Sequence, residues 1–146
     1  MTEQELDNLF YLCTLIEYIA RKTKNTPAKI ISYFSKPIIL RQLRRAEVNH
    51  CLPFEQVADE LVAELSIDEG TYDVQKVCKY TVPSVSAIGR VYQRLISAVM
   101  LDDVAQTVID VFSSFISDEI SYFNSNVYYS NPDYLRCSYL EGMLLA

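Results

Sequence analysis

Apolar residues surround almost the entire first predicted helix of this chain. From Leu6 to Ala20 they recur at nearly every helical position. A helix that is apolar on all sides is usually buried at the centre of a protein. Thr2 and Glu5 precede it with the spacing of a capping box, in which each side chain binds a backbone amide of the first turn. The pattern therefore predicts a central N-terminal helix.

Prolines mark the starts of the next predicted helices. Thr26 followed by Pro27 is typical of an N-cap and a first helical residue. Pro37 and Pro53 repeat this use of proline at the start of a helix. These signals and the apolar spacing predict helices over residues 27–34, 37–48, 54–65 and 72–80.

The second half of the chain continues with apolar residues at helical spacing. It predicts a Ser84-capped helix up to about Val99, a long helix over residues 104–123, and a closing helix that starts at Asn131–Pro132 and runs through residue 140. Only 3 Gly and 5 Pro leave little room for the turns of a β-sandwich. We therefore predict an all-α fold, with residues 1–146 forming a single compact bundle of about seven or eight helices.

Charge is strongly segregated along the chain. The net charge is −6, yet no acidic side chain occurs between Tyr18 and Ala46, where 8 of the 13 basic residues lie. We call residues 18–46 the basic block. Part of it has a local cause, because bases near the end of the first helix complement the helix dipole. Such segregation usually reports on binding rather than on fold.

The rest of the block maps onto the predicted helix 37–48. Arg41, Arg44 and Arg45 are spaced to share one exposed face with Lys36, while Ile38, Ile39, Leu40 and Leu43 are predicted to face the core. Three interpretations remain open for this basic face, 36–45. It could dock an acidic protein, contact nucleic-acid phosphates, or pair with the protein's own carboxylates.

Segment 73–96 resembles a helix-turn-helix, with Ser86, Arg90 and Arg94 on its second helix. Gly89 interrupts that helix and costs about 1 kcal/mol relative to alanine, unless a neighbouring helix packs closely against it. The alternative is two core helices joined by a turn at Pro83. Short matches to a helix-turn-helix are weak signals, so this second interpretation is favoured.

Tyrosines are concentrated near the C-terminus. Tyr128 and Tyr129 interrupt a polar loop predicted over residues 124–131, and four further aromatic residues lie nearby. Tyrosine is enriched at binding surfaces because it combines a large apolar ring with a polar tip. It also serves to pack a C-terminal segment onto a helical core, and both interpretations stay open.

Candidate catalytic and metal-binding groups are few. The only histidine, His50, adjoins Cys51, but neighbours in sequence are expected to point apart, so a thiol–imidazole pair is a weak hypothesis for a hydrolase or transferase. The four cysteines never form a C-x-x-C pair and are expected to be free thiols. We predict no catalytic residues, no metal site and no cofactor.

The chain carries no sign of export or of membrane insertion. It lacks a recognisable signal peptide, and no uncharged stretch approaches the ~18 apolar residues of a membrane span. We expect a soluble, cytoplasmic protein with no membrane contact, whose oligomeric state the sequence leaves open.

Three stretches together carry a family resemblance: LFYLCTLIEYIARKT, HCLPFEQVADELV and VPSVSAIGRVYQRLI. They resemble uncharacterised small helical proteins of Gram-positive bacteria and their mobile elements, some encoded beside toxin-like genes. The resemblance implies an accessory or antitoxin-like role and assigns no functional residue.

The sequence thus leads to one first hypothesis and one alternative. The first is a non-enzymatic protein-interaction module, antitoxin-like or accessory, that binds an acidic partner through Lys36, Arg41, Arg44 and Arg45, with Tyr128 and Tyr129 extending the contact. The alternative is a nucleic-acid-binding regulator that uses Ser86, Arg90 and Arg94 or the basic face 36–45.

Overall fold

A computed structural model describes all residues, 1–146, and confirms the all-α prediction. The chain forms nine α-helices and one short 3-10 turn, at Val127–Tyr129. The helices are α1 (Glu3–Thr23), α2 (Pro27–Ile31), α3 (Lys36–Asn49), α4 (Phe54–Leu65), α5 (Val74–Val77), α6 (Val85–Val99), α7 (Val104–Phe112), α8 (Phe115–Ser121) and α9 (Pro132–Glu141).

The helix starts follow the predicted capping residues. The Thr2 side chain accepts a hydrogen bond from the Glu5 amide while Glu5 accepts one from the Thr2 amide, which completes the capping box. Thr26, Ser84 and Asn131 cap α2, α6 and α9 in the same manner, each accepting from a backbone amide in the first turn. These bonds satisfy amides that would otherwise lack a partner.

Two predicted helices differ from the structure. The helix predicted over 104–123 breaks at Ser113–Ser114, where the Ser114 side chain accepts from the Ile116 amide and starts α8. Residues 72–80 form only the four-residue α5, and the chain leaves it in extended conformation at Cys78. The break explains why the bundle has nine helices rather than seven or eight.

Helix α1 occupies the centre of the bundle, as its all-round apolar pattern predicts. It packs most extensively against α6 and also contacts α2, α3 and α4. The crossing with α6 is very close at Gly89, where an added Cβ would lie 2.9 Å from the backbone N and Cα of Thr14. The prediction that Gly89 admits a neighbouring helix is therefore confirmed.

Thirty buried apolar residues form one continuous core cluster around α1. Tyr92 on α6 stacks on Phe112 on α7 with ring centroids 4.0 Å apart, and its hydroxyl lies 2.9 Å from that of Ser117 on α8. Phe54 stacks between Tyr11 and Tyr18 of α1. These contacts fix α4, α6, α7 and α8 around α1 and help to decide which faces of the bundle reach solvent.

Candidate functional site

Most of the basic block pairs with carboxylates of the protein itself. Five of its eight bases form ion pairs within 4 Å, namely Arg21 with Glu17, Lys22 with Glu55 and Asp59, Lys24 with Glu69, Lys36 with Asp103 and Arg41 with Glu64. The ammonium group of Lys29 stands over the ring of Tyr33. The intramolecular interpretation thus accounts for the larger part of the block.

Lys36 and Arg41, two of the predicted partner-binding residues, are among those paired bases. The Lys36 ammonium lies 2.6 Å from a carboxylate oxygen of Asp103, and this hydrogen bond lowers the pKa of Asp103. Arg41 lies 2.6 Å from Glu64, lowers the pKa of Glu64, and has its own pKa raised by the same hydrogen bond. Both bases join α3 to neighbouring elements.

Three bases of the block are exposed and make no ion pair: Lys29, whose ammonium stands over Tyr33, and Arg44 and Arg45, which lie together on α3. Leu40 and Val48 are also exposed, at 42% and 71%, and lie four residues before and after Arg44 on the same line of α3. We call Leu40, Arg44, Arg45 and Val48 the α3 face.

The position of Leu40 corrects the prediction that it faces the core. Ile39 is fully buried, and Ile38 and Leu43 pack partly against the core, as predicted. The three side chains already fill the inner side of α3, and Leu40 lies one residue beyond it on the solvent side. The basic side of α3 is therefore partly apolar, which the charge pattern alone did not show.

Segment 73–96 lacks the full-length first helix that a helix-turn-helix requires. The short α5 is followed by an extended stretch that Asn124 holds in place, because its amide donates to the Val77 carbonyl and its side-chain oxygen accepts from the Lys79 amide. The alternative prediction, two core helices joined by a turn at Pro83, also expected a longer helix than the four residues of α5. The segment does not have the two packed helices that grip a DNA groove.

The three residues assigned to the second helix do not share one site. Ser86 and Arg94 are exposed, whereas Arg90 is half-buried with its guanidinium 3.9 Å from the centre of the Phe10 ring. Arg90 lines one pocket together with Ser86, and Arg94 lines another. They do not form one continuous basic surface on α6.

Arg94 lies instead in a groove with the two predicted tyrosines. This groove, which we call the α6–α9 groove, has a volume of about 710 Å³ and lies between the start of α6 and the start of α9. Tyr128 is half-buried against the core, while Tyr129 is 84% exposed. The groove is not visible in the sequence, because it forms between segments about 40 residues apart.

His50 and Cys51 contact each other, contrary to the expectation that they point apart. The Cys51 sulfur lies 3.7 Å from His50 Nε2, which is possible because α3 ends at Asn49 and Cys51 follows in a turn. Both residues are exposed. His50 also borders a pocket of about 550 Å³ that includes Glu47 and Arg90.

One charged group in the core was not anticipated from the sequence. Glu17 of α1 is only 3% exposed, and its carboxylate accepts a hydrogen bond from Arg21 at 2.8 Å. Burial raises the pKa of Glu17, although Arg21 acts in the opposite direction. Its second carboxylate oxygen has no hydrogen-bond partner. This acid is a local cost to stability, not part of an exposed site.

Other features limit the choice of site. The four cysteines are free thiols, as expected, with Cys13 buried and Cys51 exposed. The fold nowhere gathers three His, Cys, Asp or Glu side chains that could hold a metal ion. None of the helices combines the length and apolar character needed to cross a bilayer. Two surfaces stand out, the α3 face and the α6–α9 groove.

Comparisons of the chain with models of protein families, with curated proteins and with solved structures found no match. The resemblance to small helical proteins of Gram-positive bacteria thus remains a prediction from the sequence.

Proposed function

We propose that this chain is a non-enzymatic protein-interaction module, of an antitoxin-like or accessory kind, that docks an acidic partner through the α3 face. The observation that carries the proposal is the combination of two unpaired arginines with two exposed apolar residues on one side of one helix. Arginine is enriched in protein interfaces and their buried centres are more apolar than the rest of the surface, whereas lysine and acidic residues are depleted there.

Charge supports an acidic partner. Five of the eight bases in the block are already paired with the protein's own carboxylates, while Arg44 and Arg45 have no such partner. A carboxylate-bearing surface would supply the missing counter-charges and would be steered towards α3. The remainder of the chain has a net negative charge and would repel such a partner, which favours its approach to the two adjacent arginines of α3.

The apolar part of the face favours a protein over nucleic acid. Leu40 and Val48 are separated by eight residues, or roughly 12 Å along the helix axis. Burying these two side chains against a partner contributes affinity that phosphate groups cannot provide. A phosphate-binding surface is instead dominated by polar and positively charged contacts.

Lys36 and Arg41 have a secondary role in this proposal. Each lies next to the α3 face, but each would have to leave or share an internal carboxylate before it could bind a partner. Exposed ion pairs contribute little stability, so such sharing is feasible. Tyr128 and Tyr129 line the α6–α9 groove, which no α3 residue borders, and we therefore treat that groove as a separate site.

Site-specific photocrosslinking in the cells that make this protein tests the proposal. A photoreactive amino acid at Val48, which is 71% exposed, should crosslink to one defined protein. The matched control is Leu101, which is 93% exposed and lies far along the chain in the loop before α7. Crosslinks that are equal at the two positions, or that disappear after nuclease treatment, would contradict docking of a protein on α3.

A further inference from the structure

The α6–α9 groove has the size and lining of a small-ligand site. Its volume of about 710 Å³ falls within the roughly 300–1,000 Å³ typical of such sites. Its walls are largely apolar, formed by Val82, Pro83, Val91, Leu95, Tyr128 and Leu135. Leu95 and Leu135 are almost completely buried at its base, so the floor is rigid core rather than mobile surface.

Arg94 is the only charged residue that lines this groove, and it forms no ion pair. Asp133, the carboxylate next to the groove residue Pro132, does not line the groove and pairs with Arg136 at 3.6 Å. Helices α6 and α9 both begin at the groove, so the positive ends of their dipoles lie along its edge. The groove therefore combines apolar walls and a few uncharged polar side chains with a single positive charge.

Tyr129 stands at the rim of the groove and is 84% exposed. An exposed tyrosine ring beside an apolar wall provides contact area for a ligand at a low entropic cost, because it has few rotatable bonds.

We infer that the α6–α9 groove binds a small amphiphilic carboxylate, with the aliphatic or aromatic body against the apolar walls and the carboxylate on Arg94. The guanidinium group can donate two parallel hydrogen bonds to a carboxylate, which fixes both the position and the orientation of the ligand. A neutral or cationic molecule with the same body would lack this charge-assisted contact with Arg94. This site is separate from the α3 face and can be tested without a protein partner.

The test is a titration of the isotope-labelled protein with decanoate, below its micelle concentration, followed by amide chemical shifts. Decanol and decylamine serve as ligands with the same chain but a different head group. Decanoate should shift the amides of Ala87, Val91 and Leu135 saturably, and it should bind at least about tenfold more tightly than either comparison ligand. Equal binding of the three ligands, or shifts scattered over the surface, would overturn the inference.

Two variants refine this test. Arg94→Gln should weaken decanoate binding about tenfold, the size expected for losing one charge-assisted contact. Its matched control is Arg44→Gln, which removes an exposed and unpaired arginine from α3 and should leave decanoate binding unchanged. Both side chains are exposed, so neither change should alter folding. If the two variants bind decanoate equally well, Arg94 does not hold the carboxylate and the inference is wrong.

Discussion

Substituting Gly89 with alanine tests the helix crossing on which the whole bundle depends. In the isolated helix this change should be favourable, because alanine is about 1 kcal/mol better than glycine within a helix. In the protein, the new Cβ would meet the Thr14 hydroxyl and would lie 2.9 Å from the backbone N and Cα of Thr14. Backbone atoms cannot rotate away, so α1 and α6 must separate.

The magnitude follows from these opposing terms. Normal contact distances between carbon atoms are about 3.5–4.0 Å, so the helices must move apart by roughly 0.5–1 Å. Overpacking typically costs about 1–3 kcal/mol, and because this contact is with rigid backbone atoms we expect the upper part of that range, about 2–3 kcal/mol. This cost exceeds the gain in helix propensity of about 1 kcal/mol. We expect Gly89→Ala to lower the free energy of unfolding by about 1–2 kcal/mol and the melting temperature by roughly 2–8 °C.

Urea denaturation followed by circular dichroism measures this change. Ala98→Gly is the matched control, because Ala98 is exposed on the same helix and its replacement reports helix propensity alone, a loss of up to about 1 kcal/mol. Thr14→Ala removes the hydroxyl that an added Cβ would meet and should therefore be less harmful in the Gly89→Ala background than in the wild type. A Gly89→Ala protein as stable as the wild type, or more stable, would refute the close crossing.

Three further predictions concern single side chains. In the native protein Cys51 should be the first thiol to react with a disulfide reagent, and Cys13 should not react, because burial raises the pKa of Cys13. Cys51→Ser should remove the fast phase of the reaction, and a fast phase that persists in this variant would refute the assignment. Because the pKa of Glu17 is raised by burial, the free energy of unfolding of the wild type relative to Glu17→Gln should fall as pH rises above the ordinary value of 4.5, and a constant difference between the two proteins would contradict the assignment. Asn124→Ala should cost about 1 kcal/mol and accelerate hydrogen exchange at the Lys79 amide; an unchanged exchange rate there would show that Asn124 does not hold this segment.

Helix boundaries were predictable where local chemistry determines them. Thr2 with Glu5, Thr26 with Pro27, and Ser84 all cap helices in the structure, because a cap depends on residues within one turn. The central position of α1 was predictable for the same reason, since its apolar pattern alone requires burial on every side.

The errors arose where distant parts of the chain decide the structure. The residues after α5 are extended because Asn124, 45 positions after Lys79, binds their backbone. The break at Ser113–Ser114 was hidden because apolar residues continue at helical spacing on both of its sides. Apolar periodicity indicates which positions face the core, but it does not indicate that one helix ends at Ser113 and that Ser114 caps the next.

The candidate sites could be predicted from the sequence only in part, for a similar reason. The arginines of α3 could be found from their spacing, but the pairing of Arg41 with Glu64 and of Lys36 with Asp103 joins positions 23 and 67 residues apart. Only the folded structure shows that Arg44 and Arg45 are the exposed bases of α3 without such partners. The meeting of Arg94 with Tyr129 in the α6–α9 groove depends likewise on how α6 and α9 pack.

The affinity of a charge-reversed α3 face for the crosslinked partner tests the central claim most directly. Arg44→Glu with Arg45→Glu should weaken binding of that partner by more than about tenfold, since reversing charge at a complementary interface introduces repulsion. Lys76→Glu with Lys79→Glu is the matched control, because both lysines are exposed, form no ion pair and give the same change in net charge. The account predicts that only the first pair loses binding. Equal affinities for the two double variants would contradict docking through α3.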